Sequence, residues 1–287
     1  MSRVRLAFLL ALLAGTFCAA MSFLLSSGEP PRTAPEPPRP PPAGSGEADP
    51  DRPPVSHAIL DTLLKRYVRD GVVDYAGMKQ EEAQMDEYLR VLNAADPDAL
   101  SEKGQLAFWI NAYNAFTLKL ILEHYPVEGI KKTVGVFADP WDLDRWWVGG
   151  HRTTLNRIEH EIVRPRYRDP RAHFALVCAA RSCPDLRGET YEADRLDAQL
   201  DDAGRGFLAD PTKGARLEEG RTPTLYLSKI FDWYGGDFGE GDEARVRALS
   251  PYLPESIRSS LEGRLDRVRI RYMSYDWSLN GRQEGER

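Results

Sequence analysis

The chain has 287 residues, a formal charge of −6 and hydrophobic residues at 42% of its positions, a composition typical of a soluble globular protein. It is acidic and has no basic run, so it lacks the positive surface that binds nucleic acid. We therefore expect one sizeable folded domain and exclude a nucleic-acid partner.

Residues 6–25 form an uncharged, apolar segment that follows Arg3 and Arg5. This order predicts export to the periplasm or another extracytoplasmic space, with the two arginines left on the cytoplasmic side. Small residues around Cys18 suit cleavage of a signal peptide, whereas the length of the segment also suits an uncleaved membrane anchor. Both alternatives stay open, and we expect contact with a membrane only through this segment.

Proline dominates the residues that follow, which cannot build a hydrophobic core and are expected to form an extended, disordered spacer. The sequence thus predicts four parts: a signal peptide or anchor (1–26), a proline-rich linker (27–55), a globular domain (56–280) and a disordered tail (281–287).

The globular part begins with three predicted helices, over residues 56–70, 75–93 and 101–126. Ser101 is the expected N-cap of the third helix, and Pro126 is expected to end it. This third helix is apolar on nearly every side, so it must be enclosed by the rest of the domain.

Two asparagines, Asn111 and Asn114, lie in that enclosed helix. A buried amide without a hydrogen bond costs about 1–3 kcal/mol, so both amides must have partners. They are candidates for binding a ligand, and the alternative is that they hydrogen bond to the backbone of a loop.

The remaining elements mix short helices with a few strands. They are a tryptophan-rich loop or strand pair (141–151), a helix (154–164), a strand buried on both faces (173–180), a helix (194–209), a strand (224–227), a helix (228–234) and a last strand (267–275). Because helices predominate and do not alternate regularly with strands, we predict the α+β class. The expected architecture is a predominantly helical single domain packed around a small, mostly antiparallel sheet.

Five segments resemble a known family when they are taken together in chain order: FWINAYNAFTLKLILEHYP, LNRIEHEIVRP, DPRAHFALVCAARSCPDLR, LYLSKIFDWYGGDF and IRYMSYDWSLN. They are similar to the domain of unknown function 547 (DUF547), and the resemblance runs from residue 56 to residue 280. It implies one folded unit and probable site segments. The family has no established activity, so it implies no reaction.

Two cysteines, Cys178 and Cys183, are close together in the chain. An exported protein meets oxidising conditions, and four intervening residues allow a tight turn, so a disulfide between them is the favoured interpretation. In the alternative, Cys183 begins a helical turn at Pro184, where a neighbouring Arg181 would lower its pKa and make it a nucleophile.

A nucleophilic Cys183 needs a general base. If residues 173–179 form a strand, His173 lies about 20 Å from the far end of that strand, and the thiol follows that far end. His160, on another element, is the better candidate base, with His124 near the end of the third helix as a third choice. His173 is expected to be a hydrogen-bonded core residue.

The helix with His160 also carries Glu159, which falls on the same face as Leu155 and Ile162. A carboxylate on the buried face must pair with a cation or have a raised pKa. We favour an ion pair with an arginine, for which the candidates are Arg164, Arg171 and Arg181. In the functional alternative Glu159 is an acid or base beside His160.

Two hypotheses result. In the first, the domain binds an unknown small molecule or protein in a pocket near the helix with Asn111 and Asn114 and near the Cys183 loop, with Arg181 and His173 also in contact. In the second, it is a cysteine-type hydrolase or acyl transferase that uses Cys183 with His160. No motif predicts a cofactor, and no spacing of residues predicts a metal site.

Overall fold

A computed structural model describes residues 55–282, so the predicted export segment, residues 27–54 of the predicted linker and residues 283–287 lie outside the described part. Nine α-helices lie within residues 55–282: α1 (Ala58–Tyr67), α2 (Tyr75–Gln80), α3 (Glu82–Ala94), α4 (Glu102–His124), α5 (Arg164–Tyr167), α6 (Leu196–Ala209), α7 (Ile230–Trp233), α8 (Gly241–Leu249) and α9 (Glu255–Leu261). A π-helix, Arg157–Val163, leads directly into α5.

The strands are short and fall into three small sheets: β1 (Val68–Arg69) with β2 (Val72–Val73), β3 (Trp146–Val148) with β4 (His151–Thr153), and β5 (Ala215–Glu218), β6 (Thr224–Leu227) and β7 (Arg269–Tyr272) together. All pairs are antiparallel except β6 with β7, which is parallel. The α+β class is confirmed, although the strands are divided among three sheets.

Helix α4 is the centre of the larger hydrophobic cluster. Every residue from 105 to 122 is buried, which explains why the helix has no polar face. Ser101 caps it as predicted, because its Oγ accepts a hydrogen bond from Gly104 N–H at 3.2 Å. The helix ends at His124, just before Pro126.

A second hydrophobic cluster involves α6 to α9 and the three-stranded sheet, with Phe174, Phe207 and Phe231 among its fully buried side chains. The predicted strands at 224–227 and 267–275 correspond to β6 and β7, and the predicted helix at 194–209 corresponds to α6. The tryptophan-rich segment is a strand pair, β3 and β4, that turns at Gly149 and Gly150.

Two predicted helices differ in detail from the structure. The single helix expected over 75–93 is divided at Glu81, whose ψ of 22° lies outside the helical range, into α2 and α3. The helix expected to end before Pro165 continues to Tyr167, because the proline falls in the first turn of α5, where its missing N–H is not needed. Within residues 55–282 no helix is both long enough and apolar enough to cross a membrane.

Candidate functional site

The side-chain amides of the two asparagines of α4 form hydrogen bonds with the backbone of loops. Asn114 Nδ2 donates to Ala175 O, and its Oδ1 accepts from Val177 N–H, both at 2.9 Å. Asn111 does the same for Tyr191, whose O and N–H are both 2.9 Å from the amide. The oxygen and the nitrogen of each amide thus have backbone partners, as in the alternative interpretation of the sequence, and their role in binding a ligand stays a prediction.

The strand predicted over 173–180 is wrong. The chain forms a 3-10 turn, Pro170–Phe174, and then an irregular segment in which Ala179 has φ of 60°, a left-handed conformation that is uncommon outside glycine. Asn114 occupies the backbone groups of Ala175 and Val177 that a neighbouring strand would have taken. The run is apolar because it packs in the same cluster as α4, and a short apolar run does not distinguish a strand from other buried backbone.

This irregular segment brings the two cysteines together. Cys178 Sγ lies 2.9 Å from Cys183 Sγ, and Cys178 N–H donates to Cys183 Sγ at 3.0 Å. Both residues are free thiols, with 8% of Cys178 and 3% of Cys183 exposed. Because the sulfurs are in contact but are not bonded, the disulfide stays a prediction, and the loop needs little movement to form one.

The two thiols differ in acidity. Hydrogen bonds from Cys183 S–H, the Tyr275 hydroxyl and Ala180 N–H converge on Cys178 Sγ and outweigh its burial, so the pKa of Cys178 is lowered. Burial and the neighbouring Cys178 sulfur raise the pKa of Cys183 well above its ordinary value. Burial raises the pKa of Tyr275, so its hydroxyl keeps its proton and is the donor in the 3.2 Å contact with Cys178 Sγ. The thiolate is therefore favoured on Cys178, and the sequence had assigned it to Cys183.

Glu159 is buried, with 6% of the residue exposed, in the π-helix Arg157–Val163. Such helices are rare and occur often at functional sites. The Tyr113 hydroxyl donates to Glu159 Oε2 at 3.2 Å, and Tyr234 lies near enough for the Glu159 carboxylate to affect its pKa. Burial and the nearby carboxylate raise the pKa of both tyrosines, which keeps their hydroxyls protonated.

The predicted ion pair between Glu159 and an arginine is not formed by any of the three candidates. Arg164 pairs with Asp237, and Arg171 pairs with the carboxylates of Asp169, Asp197 and Asp201. Arg181 is exposed. The Tyr113 hydroxyl is therefore the hydrogen-bond partner of Glu159 in place of the expected cation.

His160 and His173 belong to a hydrogen-bond network around Asp237. Arg164 binds this carboxylate with two nitrogens, at 2.7 and 3.0 Å, and His173 Nε2 lies 2.7 Å from Asp237 Oδ2. Burial alone would raise the pKa of Asp237, but hydrogen bonds from His173 and Arg164 hold it well below its usual range. His173 is thus a hydrogen-bonded core residue, as predicted from the sequence.

His160 is connected to this network through Arg164. Its Nδ1 is 2.9 Å from Arg164 Nη1, and its ring faces that of Tyr234 at 6.1 Å. Burial lowers the pKa of His160, with Glu159 acting in the opposite direction. The partners of Cys183 Sγ are Cys178 and Leu176 O, so the structure does not bring Cys183 and His160 into contact.

Sequence reasoning missed four residues that complete the site. They are Tyr113, Tyr234, Asp237 and Tyr275. Tyr113 lies between the two asparagines, and Asp237 closely follows Lys229 and Asp232, which form an ion pair at 2.5 Å. The aromatic segments of the family resemblance contained all four residues.

Two surface cavities do not coincide with the thiols. One of about 290 Å³ is lined by Lys119 and Trp146, and one of about 400 Å³ is lined by Asp185 and Arg187, with other residues. Neither is lined by Cys178 or by Glu159. Within residues 55–282 no group of side chains has the arrangement of a metal site.

Residues 97–208 match the family described as "Protein of unknown function, DUF547". The chain is similar to the DUF547 family over this segment. The resemblance seen in the sequence is confirmed over residues 97–208, and no curated protein and no solved structure matches the chain.

The DUF547 match contains α4, the π-helix and the cysteine loop, and with them Tyr113, Glu159, Cys178 and Cys183. Tyr234, Asp237 and Tyr275 lie beyond its end but contact residues within it. The site is therefore built from the DUF547 segment and from the part of the chain that follows it.

Proposed function

We propose that this protein is an exported thiol–disulfide exchange domain, in which Cys178 is the attacking thiol and Cys183 is the resolving thiol. The observation that carries the proposal is the 2.9 Å contact between two free thiols. It refines the prediction of a ligand pocket near α4 and the Cys183 loop, because it assigns the ligand a chemical class: a compound with a disulfide or a thiol.

The difference in acidity between the two thiols supports this assignment of roles. Exchange begins with the attack of a thiolate, and the lowered pKa of Cys178 supplies one. The residue with the lowered pKa is also the more exposed of the two, at 8% against 3%. Cys183, with its raised pKa, is expected to stay protonated until the first step is complete.

The reaction balances without another oxidant. Cys178 attacks one sulfur of a disulfide R–S–S–R′, a new S–S bond forms, the old one breaks, and R′S⁻ leaves with the electron pair and takes up a proton. Cys183 then loses its proton and attacks Cys178 Sγ, and RS⁻ leaves and is protonated. The protein pair is oxidised to a disulfide, and the ligand is reduced to two thiols.

Export rests on the apolar segment at residues 6–25, which lies outside the described residues. An extracytoplasmic site suits this chemistry, because disulfides persist there. Mass spectrometry of the mature protein tests the segment: loss of the first 20 or so residues indicates cleavage, and an intact N-terminus in the membrane fraction indicates an anchor.

The alternative, a cysteine-type hydrolase or acyl transferase with Cys183 and His160, has less support. Such enzymes hold the thiol within hydrogen-bond reach of its base. Here His160 Nδ1 faces Arg164, and the more acidic thiol is Cys178.

A trapping experiment tests the proposal. The Cys183→Ser variant has no resolving thiol, so we expect it to accumulate a mixed disulfide with glutathione disulfide, visible by intact mass. The matched Cys178→Ser variant should react at least tenfold more slowly. Equal rates in the two variants, or a wild-type pair that 10 mM dithiothreitol cannot reduce in the folded protein, would contradict an exchange function and indicate a structural disulfide.

A further inference from the structure

A group of aromatic side chains connects the thiol pair to the protein surface. The Tyr275 hydroxyl contacts Cys178 Sγ, and the Tyr275 ring packs against Trp277 at 4.5 Å and against Trp233 at 4.9 Å. Trp233 and Trp277 stack on each other at 5.7 Å, and 43% of Trp233 is exposed. A ligand that reaches Cys178 along Tyr275 must therefore pass these two tryptophans.

Lys131 lies on the outer face of this group. It belongs to the 3-10 turn Ile130–Lys132, and its Nζ lies 3.5 Å from the centre of the Trp277 ring. This cation–π contact holds the ammonium group of Lys131 against the Trp277 ring. Lys131 is thus connected to Cys178 through Trp277 and Tyr275, because the two rings pack against each other and the Tyr275 hydroxyl contacts Cys178 Sγ.

This ammonium has no carboxylate partner in an ion pair within the described part of the chain. The nearest acidic influence comes from Asp139, whose carboxylate is engaged in accepting the Trp141 N–H at 2.9 Å. Burial lowers the pKa of Lys131, a cost that a bound anion would offset. Six of the eight lysines form ion pairs with carboxylates, for example Lys65 with Asp61 and Lys229 with Asp232, and within residues 55–282 Lys131 and its neighbour Lys132 do not.

We propose that Lys131 binds an anionic group, such as a carboxylate, of the disulfide or thiol compound that reacts at Cys178. The assignment rests on the exchange function proposed above and narrows its substrate class to acidic compounds with an apolar portion that packs on Trp233 and Trp277. Lys131 is a specificity residue here, and the chemical step belongs to the cysteines.

Two alkylating reagents of nearly equal size, one charged and one neutral, distinguish the effect of Lys131 on anion binding from its effect on the reactivity of the Cys178 thiol. Iodoacetate is an anion and iodoacetamide is neutral, and both alkylate the thiolate. The ratio of their rates at Cys178 of the reduced, folded protein therefore reports the local charge, because any change in the thiolate fraction affects both reagents equally. Peptide mass spectrometry assigns the alkylated residue.

We expect Lys131→Ala to lower the iodoacetate-to-iodoacetamide ratio by roughly threefold to fivefold at low salt, the range of a partly exposed charge pair. Lys131→Glu should lower it further, and Lys131→Arg should keep most of it. The matched control is Lys132→Ala, which removes the neighbouring exposed charge and should leave the ratio within about 1.5-fold of wild type, because the ammonium that lies on the Trp277 ring is that of Lys131.

A second assay uses the ligand class itself. In the Cys183→Ser background, glutathione disulfide, which is anionic, should form the mixed disulfide faster than cystamine, which is cationic, and Lys131→Ala should remove most of this preference. An unchanged reagent ratio and an unchanged preference in Lys131→Ala, with Cys178 still reactive, would overturn the role of Lys131 alone. If iodoacetamide reaches Cys178 only after unfolding, both the exchange function and the role of Lys131 are wrong.

Discussion

Replacing Asn114 with alanine tests whether this buried amide holds the cysteine loop in place. The side chain makes two hydrogen bonds of 2.9 Å, to Ala175 O and from Val177 N–H, and the residue is 4% exposed. Alanine leaves a buried carbonyl and a buried N–H without partners. Each unsatisfied group costs about 1–3 kcal/mol, so we expect the free energy of unfolding to fall by about 2–6 kcal/mol.

A residue one turn away provides the control. Thr117 is also buried in α4, but its hydroxyl has no hydrogen-bond partner. Thr117→Val removes that hydroxyl at nearly constant shape and is expected to change stability by no more than about 1 kcal/mol, in the stabilising direction. Comparing the two variants thus distinguishes the loss of the Asn114 hydrogen bonds from a general sensitivity of α4 to substitution.

Urea denaturation, followed by tryptophan fluorescence with the thiols kept reduced, measures both variants. The rate of iodoacetamide alkylation at Cys178 in the folded protein provides a second readout, which should rise in Asn114→Ala because the loop is released. A loss of less than about 1 kcal/mol in Asn114→Ala, with an unchanged alkylation rate, would refute the clamp, since this is below the cost of a single unsatisfied group.

Two further predictions concern titrating groups. Tyr275→Phe keeps the ring but removes the donor to Cys178 Sγ, so the pKa of Cys178 should rise, which is seen as a shift of the pH profile of alkylation toward higher pH; an unchanged profile would exclude that hydrogen bond. Burial lowers the pKa of His57 from 6.5 to about 4, so the folded state binds this proton less readily than the unfolded chain. The wild type should therefore lose about 3 kcal/mol of stability as the pH falls from 6.5 to 4, in addition to other groups. His57→Asn should remove this part of the slope in urea titrations across that range, and identical slopes in the two proteins would show that His57 titrates normally.

Several features of the fold were predictable because they depend on local patterns. Helix α4 was identified from its apolar composition and from its signals at Ser101 and Pro126. The need for partners at Asn111 and Asn114 followed from burial alone, since a helix without a polar face must be enclosed. The sequence could not identify those partners, which are backbone groups 61 to 80 residues away.

The cysteine loop was mispredicted for a physical reason. A run of apolar residues records burial, and burial is shared by strands and by irregular backbone whose hydrogen bonds are supplied from elsewhere. Because the turn Pro170–Phe174 and the left-handed Ala179 replace the strand, no extended strand separates His173 from the cysteines. Cys178 is the more acidic thiol because three hydrogen-bond donors converge on its sulfur, whereas the sequence had placed the acidic thiol at a helix start before Pro184.

The sequence by itself determined which residues are enclosed, because composition and spacing carry that information. It also identified two nearby cysteines, a glutamate on a buried helix face, and the resemblance to DUF547. Only the tertiary structure decided the partners: Tyr113 on Glu159 with Tyr234 nearby, Tyr275 on Cys178, and Asp237 between His173 and Arg164. The last two of these tyrosines and Asp237 come from distant parts of the chain. Hydrogen bonds between such residues depend on distances of about 3 Å that arise only when separate elements pack together.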